Sequence, residues 1–245
     1  MRIDPEKCIS CAQCPDYCPV TCIFEGDGTY FMDEDECVEC GVCLRDAECP
    51  TDAIYMPEES NRYPRYIRAA FSDPGVQYPE ELFPELKQGG RGTEEMKTND
   101  VTGNFPHGEF GMALEFGRPG VGTRLKEVEK VTTLLTSLGV RFEDSNALYF
   151  LLEDPEKGTL KEELAKEKVL SIIVEFAIPE AMLERVVAEL SEALKTVNTV
   201  VSWGLVTRFD EDGSLPVTGR LEKLGFQVRP NAKVNMGMGR PLIED

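Results

Sequence analysis

The chain has no apolar run long enough to cross a bilayer, since the longest, Val169 to Ile178, is interrupted by Glu175. Its opening residues, Met1 to Lys7, carry neither an apolar signal core nor an amphipathic transit pattern, so the expectation is a cytoplasmic protein. Positive charge is scarce. Against 45 Asp and Glu stand 26 Lys and Arg, a net of −19, which disfavours free nucleic acid as a partner. There is no nucleophile–base pair, no flavin or nicotinamide fingerprint, and no Cys-x3-Cys-x2-Cys run of the radical-generating kind. Catalytic residues therefore remain unassigned. The single histidine, His107, and single tryptophan, Trp203, read as local packing.

What the chain does have is cysteine, crowded into its first fifth. Cys8, Cys11, Cys14 and Cys18 form one run, the last followed by Pro19. Cys37, Cys40, Cys43 and Cys49 form a second, the last followed by Pro50 after a longer gap, Leu44 to Glu48. Two-residue spacing wraps successive thiolates around three corners of a cubane, and the fourth ligand then comes from the other run. Structural zinc predicts separated pairs rather than triplets followed by Cys-Pro. Disulfides fit less well, because ligand spacing accounts for all but one cysteine and no secretory leader precedes them.

On these two runs, both Cys-Pro pairs and the internal repeat, residues 1–58 resemble a bacterial-type ferredoxin carrying two [4Fe–4S] clusters. The resemblance implies that Cys8, Cys11, Cys14 and Cys49 hold one cluster, and that Cys37, Cys40, Cys43 and Cys18 hold the other. Laying the chain on itself places Cys22 over Ala53, so Cys22 reads as a small buried residue. Tyr17, Tyr30 and Tyr55 read as a shield over the sulfurs, and Ile23 to Phe31 as a hairpin around Gly26-Asp27-Gly28.

Loaded with two oxidised clusters, the protein would carry about −23. Residues 1–58 hold fourteen Asp and Glu against three Arg and Lys. Such surroundings push the clusters to low potential and call for a redox partner with a basic docking face.

Residues 59–106 read as a Pro- and Gly-rich connector. Its opening, Arg62 to Arg68, is expected to dock back on the acidic module. Its polar loop, 89–103, is either a plain loop or a binding loop offering Glu94, Glu95, Lys97, Asn99 and Asp100. The turn Gly117 to Thr123 opens a helix and could hold an anion.

Residues 107–210 predict a β-α-β-β-α-β domain of the ferredoxin-like sandwich kind, making the chain α+β. The strands are Phe110–Phe116, Ala147–Leu152, Val169–Ile178 and Thr199–Arg208. The first helix is capped by Thr123 and stopped by Gly139, and the second is opened by Pro179. Residues 211–245 read as an extended arm with one apolar turn, Leu221 to Phe226.

The leading functional expectation is a low-potential electron-transfer subunit of a cytoplasmic, anaerobic redox enzyme complex, within a hetero- or homo-oligomer. The alternatives are an oxidoreductase with a substrate site at 89–103 and 117–123, and a redox or effector sensor.

Overall fold

The computed structural model describes residues 1–76, 105–118 and 120–229, and the loop 89–103 lies outside them. In the cysteine-rich part, β1 (Arg2–Ile3) pairs with β4 (Ile54–Tyr55), and β2 (Ile23–Gly26) pairs with β3 (Thr29–Met32). Asp27 and Gly28 join β2 to β3 with φ of 51° and 77°, both left-handed, as a tight hairpin turn requires. The short helix α1 (Val42–Asp46) takes up the lengthened gap of the second run. A small core of Met1, Cys22, Ile23, Met32, Cys37, Cys43, Ala47 and Ile54 lies between these pieces.

A second, larger core belongs to a four-stranded antiparallel sheet built from β5 (Glu109–Phe116), β6 (Arg141–Phe142), β7 (Ile172–Pro179) and β8 (Val201–Val206). The strand order is β8-β5-β7-β6. The register sets Phe110, Met112, Leu114 and Phe116 beside Ile178, Phe176, Val174 and Ile172, so one face of both central strands is apolar. Onto that face pack α3 (Leu125–Ser137), through Leu125, Val128, Val131 and Leu135, and α4 (Leu183–Leu194), through Leu183, Val186, Val187 and Leu190. Among the described residues no helix is long and apolar enough to cross a membrane.

Several expectations need correction. The second strand is Arg141–Phe142, and Ala147–Leu151 is a 3-10 helix. Asn146 starts that turn by accepting from the Leu148 amide at 2.8 Å, and Ala147, Leu148 and Leu151 then bury one side. Thr123 does not cap α3. It pairs with Val169 in a two-residue ladder, and Arg124 precedes the helix without a side-chain cap. Pro179 ends β7 and leads through a 3-10 turn before α4 begins. Gly139 stops α3 as expected, at φ 81° with its amide on Thr136 O.

Nor is the start of the last segment extended. Residues Pro216–Lys223 form helix α5, which buries Val217, while Phe226 meets the Trp203 ring edge-on at 5.7 Å. His107 is exposed.

The residues after the cysteines are tightly engaged. Helix α2 (Tyr66–Ala70) and Phe71 enter the large core, with Ile67 and Phe71 almost wholly buried. From the same helix Arg68, 3% exposed, donates to the carbonyls of Glu34 and Cys37 at 2.8 Å each and pairs with Glu167. Arg65 donates to Glu39 at 2.8 Å. The arm docks on the acidic module, as its sequence suggested, and also ties that module to the sheet domain.

The sheet domain supplies further cations. Arg124 and Lys168 both pair with Glu36, and the Lys168 ammonium, followed by Arg124, holds that carboxyl below the ordinary range. This contribution is fully present above the ordinary carboxylate pKa. It is lost as pH falls through the depressed value.

Replacing Arg68 by Met should cost about 3–5 kcal/mol, because it leaves Glu167 and the carbonyls without their donor. The shift of the urea midpoint measures this, and adding Glu167→Gln should recover part of the loss.

Candidate metal centres

The two cysteine runs share one backbone path. Ser10 and Glu39, Ala12 and Gly41, and Thr21 and Asp52 occupy matching places, with φ of 54° and 56°, 61° and 69°, and 52° and 50°. Left-handed non-glycine residues cost about 1–3 kcal/mol each in sparsely populated regions, so their repetition marks a demand made by the loops. That demand is to turn amides toward sulfur. The Cys22 amide donates to Cys18 Sγ at 3.2 Å, and at the matching place the Ala53 amide donates to Cys49 Sγ at 3.3 Å.

The sulfurs gather in two sets. Cys14 feels the charges of Cys8, Cys11 and Cys49, whereas Cys43 feels those of Cys40, Cys37 and Cys18. Each set takes three cysteines from one run and one from the other. Around the first lies a small pocket lined by Cys8, Cys11, Cys14 and Cys49 together with Ile9, Tyr30 and others. The lengthened gap does not prevent Cys49 from reaching it. Ala47 is buried in the small core, and the Gln13 amide lies against the carbonyls of Ala47 and Glu48.

Charge decides what these sites can hold. Burial, reinforced by neighbouring thiolates, pushes Cys14 up to about 11 and Cys43 up to about 12. At neutral pH those sulfurs become thiolates only beside compensating positive charge, which metal supplies. Among the described residues no three His, Cys, Asp or Glu side chains converge where one metal ion could be held. Four thiolates in each set, at this spacing in the runs, are the donor type of an iron–sulfur cluster.

Cys22 is 2% exposed and Ala53 1%, so the two share their buried place. The structure adds what alignment could not show. Cys22 Sγ lies 3.5 Å from Cys18 Sγ, and the neighbouring Cys22 thiol lowers Cys18 to about 6 and Cys37 to about 7. Of the three tyrosines, Tyr30 alone lines the cavity, while Tyr17 and Tyr55 are 42% and 43% exposed.

The sets differ in cover. Cys11 is exposed and Cys8, Cys14 and Cys49 are half-buried, whereas in the second set Cys37, Cys40 and Cys43 are buried and Cys18 is half-buried. Glu39, wholly buried inside the second run, bonds the Met1 amino group, Arg65 and Ser60. The Gly117–Thr123 turn sits against the same region. A Cβ on Gly120 would stand 3.3 Å from Pro19 O, and one on Gly122 3.3 Å from Val20. Those glycines serve close backbone approach. Arg68 belongs to the arm expected to dock on this module, whereas Glu36 and Arg124 carried no sequence signal of their role at this interface.

Comparison with known proteins bears on the cysteine-rich part. Over 64 residues, 24% of the chain, it is 45% identical to a protein named ferredoxin 7Fe from Hydrogenibacillus schlegelii, covering 80% of that protein. It is 45% identical over 51 residues to a ferredoxin of Rickettsia felis, covering 45% of it. It is 35% identical over 65 residues to ferredoxin-1 of Caulobacter vibrioides, covering 56% of it. No family model and no solved structure matches the chain.

Single substitutions test the grouping. Cys18→Ala should lose the iron associated with Cys37, Cys40 and Cys43, and Cys49→Ala that associated with Cys8, Cys11 and Cys14. Cys22→Ala should keep all its iron, because alanine already fills the matching place. Iron analysis and low-temperature EPR of each variant read the outcome.

Proposed function

Because the chain belongs, through its N-terminal quarter, to the ferredoxin family, we propose that it relays single electrons through two [4Fe–4S] clusters at low potential, as a dedicated subunit of a larger redox complex. The observation that carries this reading is the crosswise grouping of eight cysteines into two sets of four. Cys8, Cys11, Cys14 and Cys49 hold one cluster, and Cys18, Cys37, Cys40 and Cys43 the other. Each set offers four thiolates, the complement for four irons, so eight irons are expected here rather than the seven in the name of one relative.

Each cluster, when bound, supplies one-electron chemistry. The chain's own residues set the conditions. Amide donors such as those of Cys22 and Ala53 stabilise the electron-rich sulfurs, and so does the thiol of Cys22. The fourteen carboxylates of the first 58 residues oppose an added electron and pull the potential down. Ile9, Ala47 and Tyr30 keep water from the first set, and the small core encloses the second.

Residues 107–210 form a ferredoxin-like β-α-β-β-α-β sandwich in this reading. Its support is the observed strand order with Arg141–Phe142 as the second strand. The sandwich serves as a docking body, and residues 59–76 fasten it to the cluster module. The relay reading is preferred to a substrate site at 117–123 because that turn is spent on contact with Pro19 and Val20.

Protein isolated under strict anaerobiosis should contain about eight iron and eight acid-labile sulfides per chain and bleach reversibly on reduction. A stable, colourless protein with stoichiometric zinc would refute the assignment.

A further inference from the structure

The two centres are covered very unequally, and the rest of this chain does the covering. Around the second set, Arg68 holds the Glu34 and Cys37 carbonyls, Arg45 joins Cys40 O to Asp73, and Gly120 and Gly122 press on Pro19 and Val20. Around the first set nothing comparable occurs among the described residues. Cys11 is exposed, and Ile9, between Cys8 and Cys11 and lining the same pocket, is 62% exposed.

Charge follows the same division. Beside the second set the three glutamates are matched within the chain, Glu34 by Arg2, Glu36 by Arg124 and Lys168, and Glu39 by Arg65, while Asp33, Asp35 and Asp46 have no ion pair among the described residues. The carboxylates beside the first set are exposed and have no ion pair among the described residues. Asp16 follows Cys14, Asp27 lies at the turn whose Gly28 carbonyl accepts from Ser10, and Glu48 is beside Gln13. Glu25 faces Tyr30 across the hairpin, and Asp52 follows Thr51 on the cavity wall. The second face shows what such a rim accepts, because the sheet domain meets it with Arg124 and Lys168.

We propose that the face around Ile9 and Cys11 is the one port for an external redox protein, which presents basic side chains around an apolar contact at its own cofactor edge. This deepens the relay reading and rests on it. The two centres then lie in series, the first exchanging electrons with the outside and the second turned toward the sheet domain. An exposed apolar centre within a charged rim is the anatomy of a transient interface, and the unmatched carboxylates steer the encounter.

The test uses the full-length, cluster-loaded protein with cytochrome c, a small basic haem protein, as probe. Binding of the oxidised protein and electron delivery from the reduced one are measured over a range of salt. The triple variant Asp16→Asn/Asp27→Asn/Glu48→Gln should weaken binding and slow delivery about tenfold at low salt, and flatten the salt dependence. A charge-matched control, Glu156→Gln/Glu211→Gln/Glu222→Gln, removes three exposed carboxylates from the other part of the chain and should change either quantity less than twofold. Equal losses in both variants would show that only net charge matters and would overturn the port, as would an unchanged triple variant. So would a dimer in the parent chain that the triple variant dissociates, since the face would then join two copies. Delivery to a small neutral acceptor is measured in parallel. If that is absent in the parent, the relay reading itself fails; if it persists while the triple variant behaves as parent, the port alone fails.

Discussion

Sulfur atoms from distant parts of one loop system must be brought together against their mutual repulsion. Cys18 stands with Cys37, Cys40 and Cys43, and Cys49 with Cys8, Cys11 and Cys14, so neither run can form its set without the other. Much of the first quarter follows from this. The left-handed residues at matching places turn amides toward sulfur, the two short ladders hold the runs side by side, and the small core fills the space between. Burial raises the energy of a bare thiolate at Cys14 and Cys43, so the same packing that shields the sulfurs makes them depend on bound positive charge.

The cysteine sets were legible because ligand spacing is written locally, in gaps of two residues and a proline. Cys22 was legible for a related reason, since the repeat carries its own alignment and Ala53 reports how much room there is. The sheet domain was legible where periodicity is long, as in Glu109–Phe116, Leu125–Ser137 and Ile172–Pro179. It failed at Ala147–Leu152, where six apolar residues carry no decisive period and an asparagine cap tips them into a 3-10 turn. The true second strand has two residues, too few for any pattern. Pro216–Lys223 was hidden by Gly219 and by its mixed polarity.

Beyond the docking of the Arg62–Arg68 arm, contacts across the joint left no trace in the sequence. Arg68 meets Glu167 across 99 positions, and Lys168 meets Glu36 across 132. A charged residue in a pattern usually reads as solvated surface, and only a long-range pairing distinguishes a buried guanidinium from an exposed one. The acidity of the first quarter was read as a single field. The structure divides it into a portion neutralised by the chain's own cations and a portion left open.

Arg68 has a mechanical meaning as well. Its helix inserts Ile67 and Phe71 into the larger core, while its guanidinium grips the loop that carries Cys37. Loosening either body therefore strips contacts from the other, and two hydrophobic centres are geared to melt together. The boundary at residue 58 is one of composition. As a line of cleavage it is poor, because a fragment cut there would keep Glu34, Glu36 and Glu39 but lose Arg65, Arg68, Arg124 and Lys168, and would repel itself around the very loop that must stay closed.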